Sequence, residues 1–314
     1  MAPFRRRRRG VFAVLIWDGY KLDIIEYIWI AVSLIILFIW LRQTRWACGA
    51  FAAAPVREYP VEIIEVLLAA FCYVCMNLLA IKVLGNERDW NWDRQNRFGI
   101  VLSFGQLIIA AVILVMAHFH FKQGLRGFGL TFRQLGKTFS LAVLYSIAIF
   151  GLMFLALAVT IYISSIFGYY EIQKHSFLEL LEKSPPPAGM VILIVSPALI
   201  APLMEELLFR GLLQTFFIGL FIRRRLPTFG SEPDDITNVS ITPTIPGQCR
   251  WAGIFFTAAL FAIFHGNWQH WPALFVLGIG LGYAFERHGN LLLPIMVHSL
   301  FNIFSLTMTI STKL

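Results

Sequence analysis

Three groups of polar side chains stand in the last third of the chain, each inside a run of apolar residues. The first is Glu205-Glu206-Leu207-Leu208-Phe209-Arg210. On a helix Glu206 and Arg210 are i,i+4 neighbours and can pair, whereas Glu205 is turned by ~100° and lacks that partner. The second is His265, one helical turn after Phe261, and the third is His298 with Asn302 on one helix face. Taken singly, each has a plain structural role: a histidine on an apolar helix is usually a hydrogen-bonded core residue, and a His/Asn pair stitches helices together. Taken together, a carboxylate, two imidazoles and a carboxamide are the parts of a hydrolytic site. Glu205 can take a proton from water with His265 assisting, and the His298/Asn302 face can donate hydrogen bonds to a tetrahedral oxyanion. Glu205, His265 and His298 are equally a ligand set for one zinc or other divalent ion with an open position. The chemistry of these residues leaves both a metal and no metal open. No acidic partner for either histidine is visible in the sequence, and such partners usually orient histidine ligands. That leans against a tightly held ion, although a backbone carbonyl would serve as well.

The elements that must position these residues are apolar spans. Full-length runs occupy Ile24–Leu41, Val61–Leu84, Phe98–Phe121 and Phe139–Phe167, each long enough to cross a ~30 Å hydrocarbon core. Between the third and fourth, the basic segment Lys122–Lys137 is predicted to lie in the membrane interface. The next apolar stretch, Ala188–Ile222, is too long for one straight crossing, and Pro197 and Pro202 offer natural breaks just before Glu205. A polar loop, 223–250, separates it from three shorter apolar segments, Trp251–Gly266, Pro272–Phe285 and Leu291–Ile310. The predicted fold is therefore an all-α polytopic membrane bundle of about eight transmembrane helices around a buried polar cavity. It divides into a basic cytoplasmic or interfacial N-terminus (1–23), N-terminal membrane helices (24–187) and a catalytic membrane core (188–314).

Composition supports that class. Of 314 residues, 58% are hydrophobic and only 14% charged, against about 25% charged in soluble domains. Disorder is excluded by the 29 Phe and 9 Trp. The net charge of +8 belongs to span flanks meeting anionic headgroups rather than to nucleic acid. Arg5–Arg9 precede an apolar stretch too short and too soon interrupted for a cleaved leader. Lys and Arg divide almost evenly between the two sides of an eight-span layout, with the N-terminal arginines favouring a cytoplasmic N-terminus. Cys72-x-x-Cys75 lies inside an apolar run and reads as packing, and Asn238-Val239-Ser240 matches a glycosylation sequon at chance level. His118, His120, His175, His270 and His288 fall at span ends or in loops.

At the three polar groups the sequence resembles the CPBP family of CAAX-processing and bacteriocin-processing intramembrane proteases. The family's motifs E-E-x-x-x-R, F-x-x-x-H and H-x-x-x-N correspond to Glu205-Glu206…Arg210, Phe261…His265 and His298…Asn302. The run Leu277–His298, with its glycines, Arg287-His288-Gly289 turn and Pro294-Ile295, is similar as well, and Gly129–Leu135 resembles a weaker upstream feature. The 223–250 loop is a departure, an insertion between the first two motifs. The resemblance implies a CAAX-type membrane endopeptidase, metallo- or glutamate-dependent. Glu205 and His265 would activate water, His298 and Asn302 would stabilise the oxyanion, and Arg210 would pair with Glu206. His298 would alternatively share a metal with Glu205 and His265. Implied partners are the lipid bilayer and a membrane-associated peptide, prenylated CAAX-like or of bacteriocin or leader type, in a multi-pass protein of the cell membrane. A non-catalytic scaffold or self-immunity protein on the same fold is the alternative. A proton-coupled transporter would be expected to show repeat symmetry, and none is found.

Overall fold

A computed structural model describes residues 24–84, 92–169, 194–225 and 245–311. Arg5–Arg9, His175, the sequon and most of the 223–250 loop lie outside them. The described residues form helices and connecting turns, with no strand among them. Long apolar segments do this because a backbone in hydrocarbon must satisfy its own N–H and C=O groups. In chain order the helices are α1 (Ile24–Gln43), α2 (Ile63–Leu84), α3 (Trp92–His120), the short α4 (Leu125–Phe128) and α5 (Leu135–Ile166). Next, α6 runs through four consecutive stretches, Ser196–Ile200, Ala201–Glu206, Leu207–Gln214 and Thr215–Arg225. The chain closes with α7 (Gly247–Phe264), α8 (Trp271–His288) and α9 (Leu292–Ser311).

Among the described residues, four helices contain a stretch long and apolar enough to cross a membrane, Glu26–Gln43, Arg97–His120, Leu135–Ile166 and Gly247–Phe264, and α2 and α9 carry shorter ones. Length and apolarity among the described residues thus account for four of the expected eight. Both α6 and α8 are diluted by buried polar residues, Glu206, Arg210 and Gln214 on the first and Glu286 on the second. Phe71, Phe104, Phe119 and Phe139, on α2, α3 and α5, are each more than half exposed. Large apolar groups in such density suit a lipid surface rather than water.

The centre of the bundle is α6. Its Met204, Leu207 and Leu212 pack with Val61, Val66 and Ile113, and its Phe209 packs with Phe261, Leu277 and Val297. One helix thus joins the N-terminal helices to the last three. Pro197 and Pro202 do not break it. Each stands in the first turn of its stretch, and the turns at Ser196–Ile200 and Leu207–Gln214 are wide π-turns. Widening relieves the clash of a proline ring with the preceding turn and is the usual device at functional helix positions.

The Lys122–Lys137 segment is anchored to the bundle at Phe128–Leu130, while Lys122, Gln123, Arg126 and residues 132–137 are exposed. Phe121, Phe128 and Leu130 are buried, and the Gly129 carbonyl accepts the Leu291 N–H at 2.8 Å. Gly129 has φ 102, and a Cβ there would come within 2.8 Å of the Phe285 ring. Cys72 and Cys75 are free thiols on α2.

Candidate active site

Phe261 organises the site. Its ring is fully buried, lies under the Arg210 guanidinium at 4.6 Å, meets the His298 ring edge-on at 5.6 Å and touches the His265 ring at 4.5 Å. Its carbonyl accepts Nδ1–H of His265 at 2.7 Å. That bond leaves Nε2 of His265 as the free ring nitrogen, and Nε2 stands 3.6 Å from Oε2 of Glu205. His265 closes α7, and Gly266 at φ 78 turns the chain away.

His298 is carried on α9, whose start is set by the Gly289–Asn290 turn. Gly289 has φ 63 and donates to the Phe285 carbonyl, while Oδ1 of Asn290 accepts the Leu292 N–H. The His298 imidazole is buried and donates from Nδ1 to Oε1 of Glu206 at 2.8 Å. The same oxygen accepts Nη1 of Arg210 at 2.9 Å. Nε2 of His298 then faces Oε2 of Glu205 at 3.9 Å. Oε2 of Glu205 is itself buried with no hydrogen-bond partner among the described residues.

Glu205, His265, His298, Glu206 and Arg210 are thus brought together from α6, α7 and α9. Asn302 sits one turn beyond His298 and donates from Nδ2 to the Pro197 carbonyl at 2.7 Å, which ties α9 to the first wide turn of α6. The expectation that no acid pairs with either histidine needs correcting for His298, which Glu206 orients, whereas His265 is oriented by a backbone carbonyl, that of Phe261. Glu206 was legible as the ion-pair partner of Arg210, but its second bond joins residues 92 apart in the chain. Among the described residues no three His, Cys, Asp or Glu side chains are grouped closely enough to hold an ion.

A second polar cluster went unremarked in the sequence. Glu286, fully buried near the end of α8, receives Arg57, Tyr59 at 2.7 Å, Gln214 at 3.3 Å and Arg250 at 3.7 Å. Burial, and after it the Glu286 carboxylate, push the Tyr59 phenol upward, so it remains a protonated donor. The signal that could have found this cluster is the one used for the first. A carboxylate and a carboxamide on otherwise apolar helices are expensive until paired.

Residues 187–304 match the family described as type II CAAX prenyl endopeptidase, Rce1-like. This segment is similar to a Rce1-like domain. It contains Glu205, Glu206, Arg210, His265, His298 and Asn302, and α1 to α5 lie outside it. No curated protein and no solved structure matches the chain. The Rce1-like domain and the apolar helices around it support a membrane peptidase acting on membrane-associated substrates.

Proposed function

We propose that the chain is a multi-pass intramembrane endopeptidase of the CAAX-processing kind, in which α1, α2, α3, α5, α6, α7, α8 and α9 all traverse the bilayer. Its substrate is a membrane-held peptide, prenylated CAAX-like or of leader type. The observation that carries this reading is a Glu205 carboxylate oxygen that has no hydrogen-bond partner among the described residues and faces Nε2 of both His265 and His298. Polar groups 3.6 Å apart are spaced for a shared water rather than a direct bond. Glu205, assisted by His265, accepts a proton from that water as its oxygen attacks the scissile carbonyl carbon. Negative charge collects on the carbonyl oxygen. One N–H of the Asn302 amide is committed to Pro197 and the second remains to donate. His298 bonds to Glu206 through Nδ1, which turns Nε2 toward the site, where it donates to the oxyanion when that nitrogen carries a proton. Collapse of the intermediate breaks the C–N bond, and the proton held at Glu205 and His265 passes to the leaving amine.

The test is hydrolysis of a farnesylated CAAX peptide by the full chain in proteoliposomes, run in ¹⁸O-water. Release of an unlabelled C-terminal tripeptide, with one ¹⁸O in the new carboxylate of the farnesylated cysteine, is the expected result. No cleavage of farnesylated, geranylgeranylated or membrane-anchored leader peptides would overturn the reading.

A further inference from the structure

The site is joined to the second cluster by an unbroken chain of polar contacts, and that chain begins outside the Rce1-like domain. Arg57, in the connection between α1 and α2, binds Glu286 and lies over the Phe285 ring at 3.7 Å. Its other terminal nitrogen donates to the Thr215 hydroxyl at 3.4 Å. That hydroxyl donates in turn to the carbonyl of Arg210, five residues back, at 3.3 Å. A wide turn leaves carbonyls that an ordinary helix would satisfy within itself, and a side-chain hydroxyl is one way to supply the missing donor. Arg210 is therefore held at both ends. Thr215 grips its carbonyl, while its guanidinium spans from Glu206 to the Gly278 carbonyl. One turn further along, Gln214 repeats the pattern on the Gly282 carbonyl and Glu286. A Cβ at Gly278 would meet Ala258, and one at Gly282 would meet Gln214 itself, so the glycines admit the close approach of α8.

We propose that Arg57, Thr215 and Glu286 are positioning residues for peptide hydrolysis. They fix the wide turn Leu207–Gln214 and, through Arg210 and Glu206, the orientation of His298. None of the three contacts the reacting atoms. The relay makes the connection between α1 and α2 a working part of the catalytic site. It rests on the endopeptidase reading for its kinetic consequence, but its structural consequence is measurable without turnover.

Thr215→Val removes the hydroxyl while nearly conserving shape. With the farnesylated CAAX peptide in proteoliposomes, kcat is expected to fall by roughly ten- to a hundredfold, the scale of a small misplacement of catalytic groups. KM stays near wild type, the protein remains folded with a modestly lower thermal midpoint because an Arg57 nitrogen and the Arg210 carbonyl lose their partner, and Thr215→Ser restores kcat. Thr257→Val, which removes another buried hydroxyl that has no partner among the described residues, leaves kcat unchanged. Unchanged kcat in Thr215→Val, or an equal loss in Thr257→Val, would overturn the relay. A second arm reads the ¹⁵N and ¹H resonances of His298 Nδ1 in histidine-labelled protein in micelles. Thr215→Val moves them and Thr257→Val does not. If the wild-type protein cleaves nothing, the endopeptidase reading fails while this arm still decides the relay, and unmoved resonances reject it.

Discussion

Two carboxylates of the same bundle are buried to opposite ends. Both oxygens of Glu286 are engaged, one by Arg57 and Gln214 and the other by Tyr59, with Arg250 alongside, and its side chain has no exposure. Glu205 keeps about a fifth of its side chain exposed, and its Oε2 takes no hydrogen bond among the described residues, although two imidazole nitrogens face it. Glu206 stands between these extremes, with Oε1 doubly bonded and Oε2 without a partner among the described residues. A carboxylate whose charge is fully compensated holds elements in place and has nothing left to offer a substrate. One left under-satisfied beside a route to solvent carries a standing energetic cost, and such costs collect where chemistry is done.

The comparison breaks first at Glu286. Glu286→Gln leaves Arg57 and Arg250 buried without their carboxylate, and loss of one partner from a buried ion pair costs ~3–5 kcal/mol. Denaturant unfolding in micelles should show a loss of that size, and a loss near zero would mean that the cluster is solvated and not a clamp. Asn302 sharpens the other side. Asn302→Ala should lower kcat for the farnesylated peptide by roughly 10²–10³, the range for removing one oxyanion donor, with the fold retained. A loss of only a few-fold would assign Asn302 to the Pro197 carbonyl alone.

How far the sequence reaches follows the same division. Glu205, Glu206, Arg210, His265 and His298 were legible because each is a costly residue in an apolar run, and the structure assembles them from three helices. The last three apolar segments correspond to α7, α8 and α9. What was illegible depends on distance in the chain or on helix geometry. Arg57 and Glu286 are 229 residues apart, and neither is remarkable alone at a helix end or in a connection. Prolines in an apolar run read as breaks, because the wide turns that accommodate them have no sequence signature of their own. The Lys122–Lys137 segment reads as interfacial from its charges, while the anchoring of its middle depends on Phe128 and Leu130 meeting residues far along the chain.

The central claim is that Glu205 performs the chemistry while its neighbour Glu206 holds the site together. Melting and turnover of Glu205→Gln and Glu206→Gln, measured side by side, test it most directly. Glu205→Gln should melt with wild type and abolish release of the tripeptide. Glu206→Gln leaves Arg210 and His298 without their shared carboxylate and should melt well below wild type, by an amount equivalent to ~3–5 kcal/mol. Equal melting of the two variants, the reverse order, or a Glu205→Gln protein that still releases the tripeptide at the wild-type rate would contradict the account.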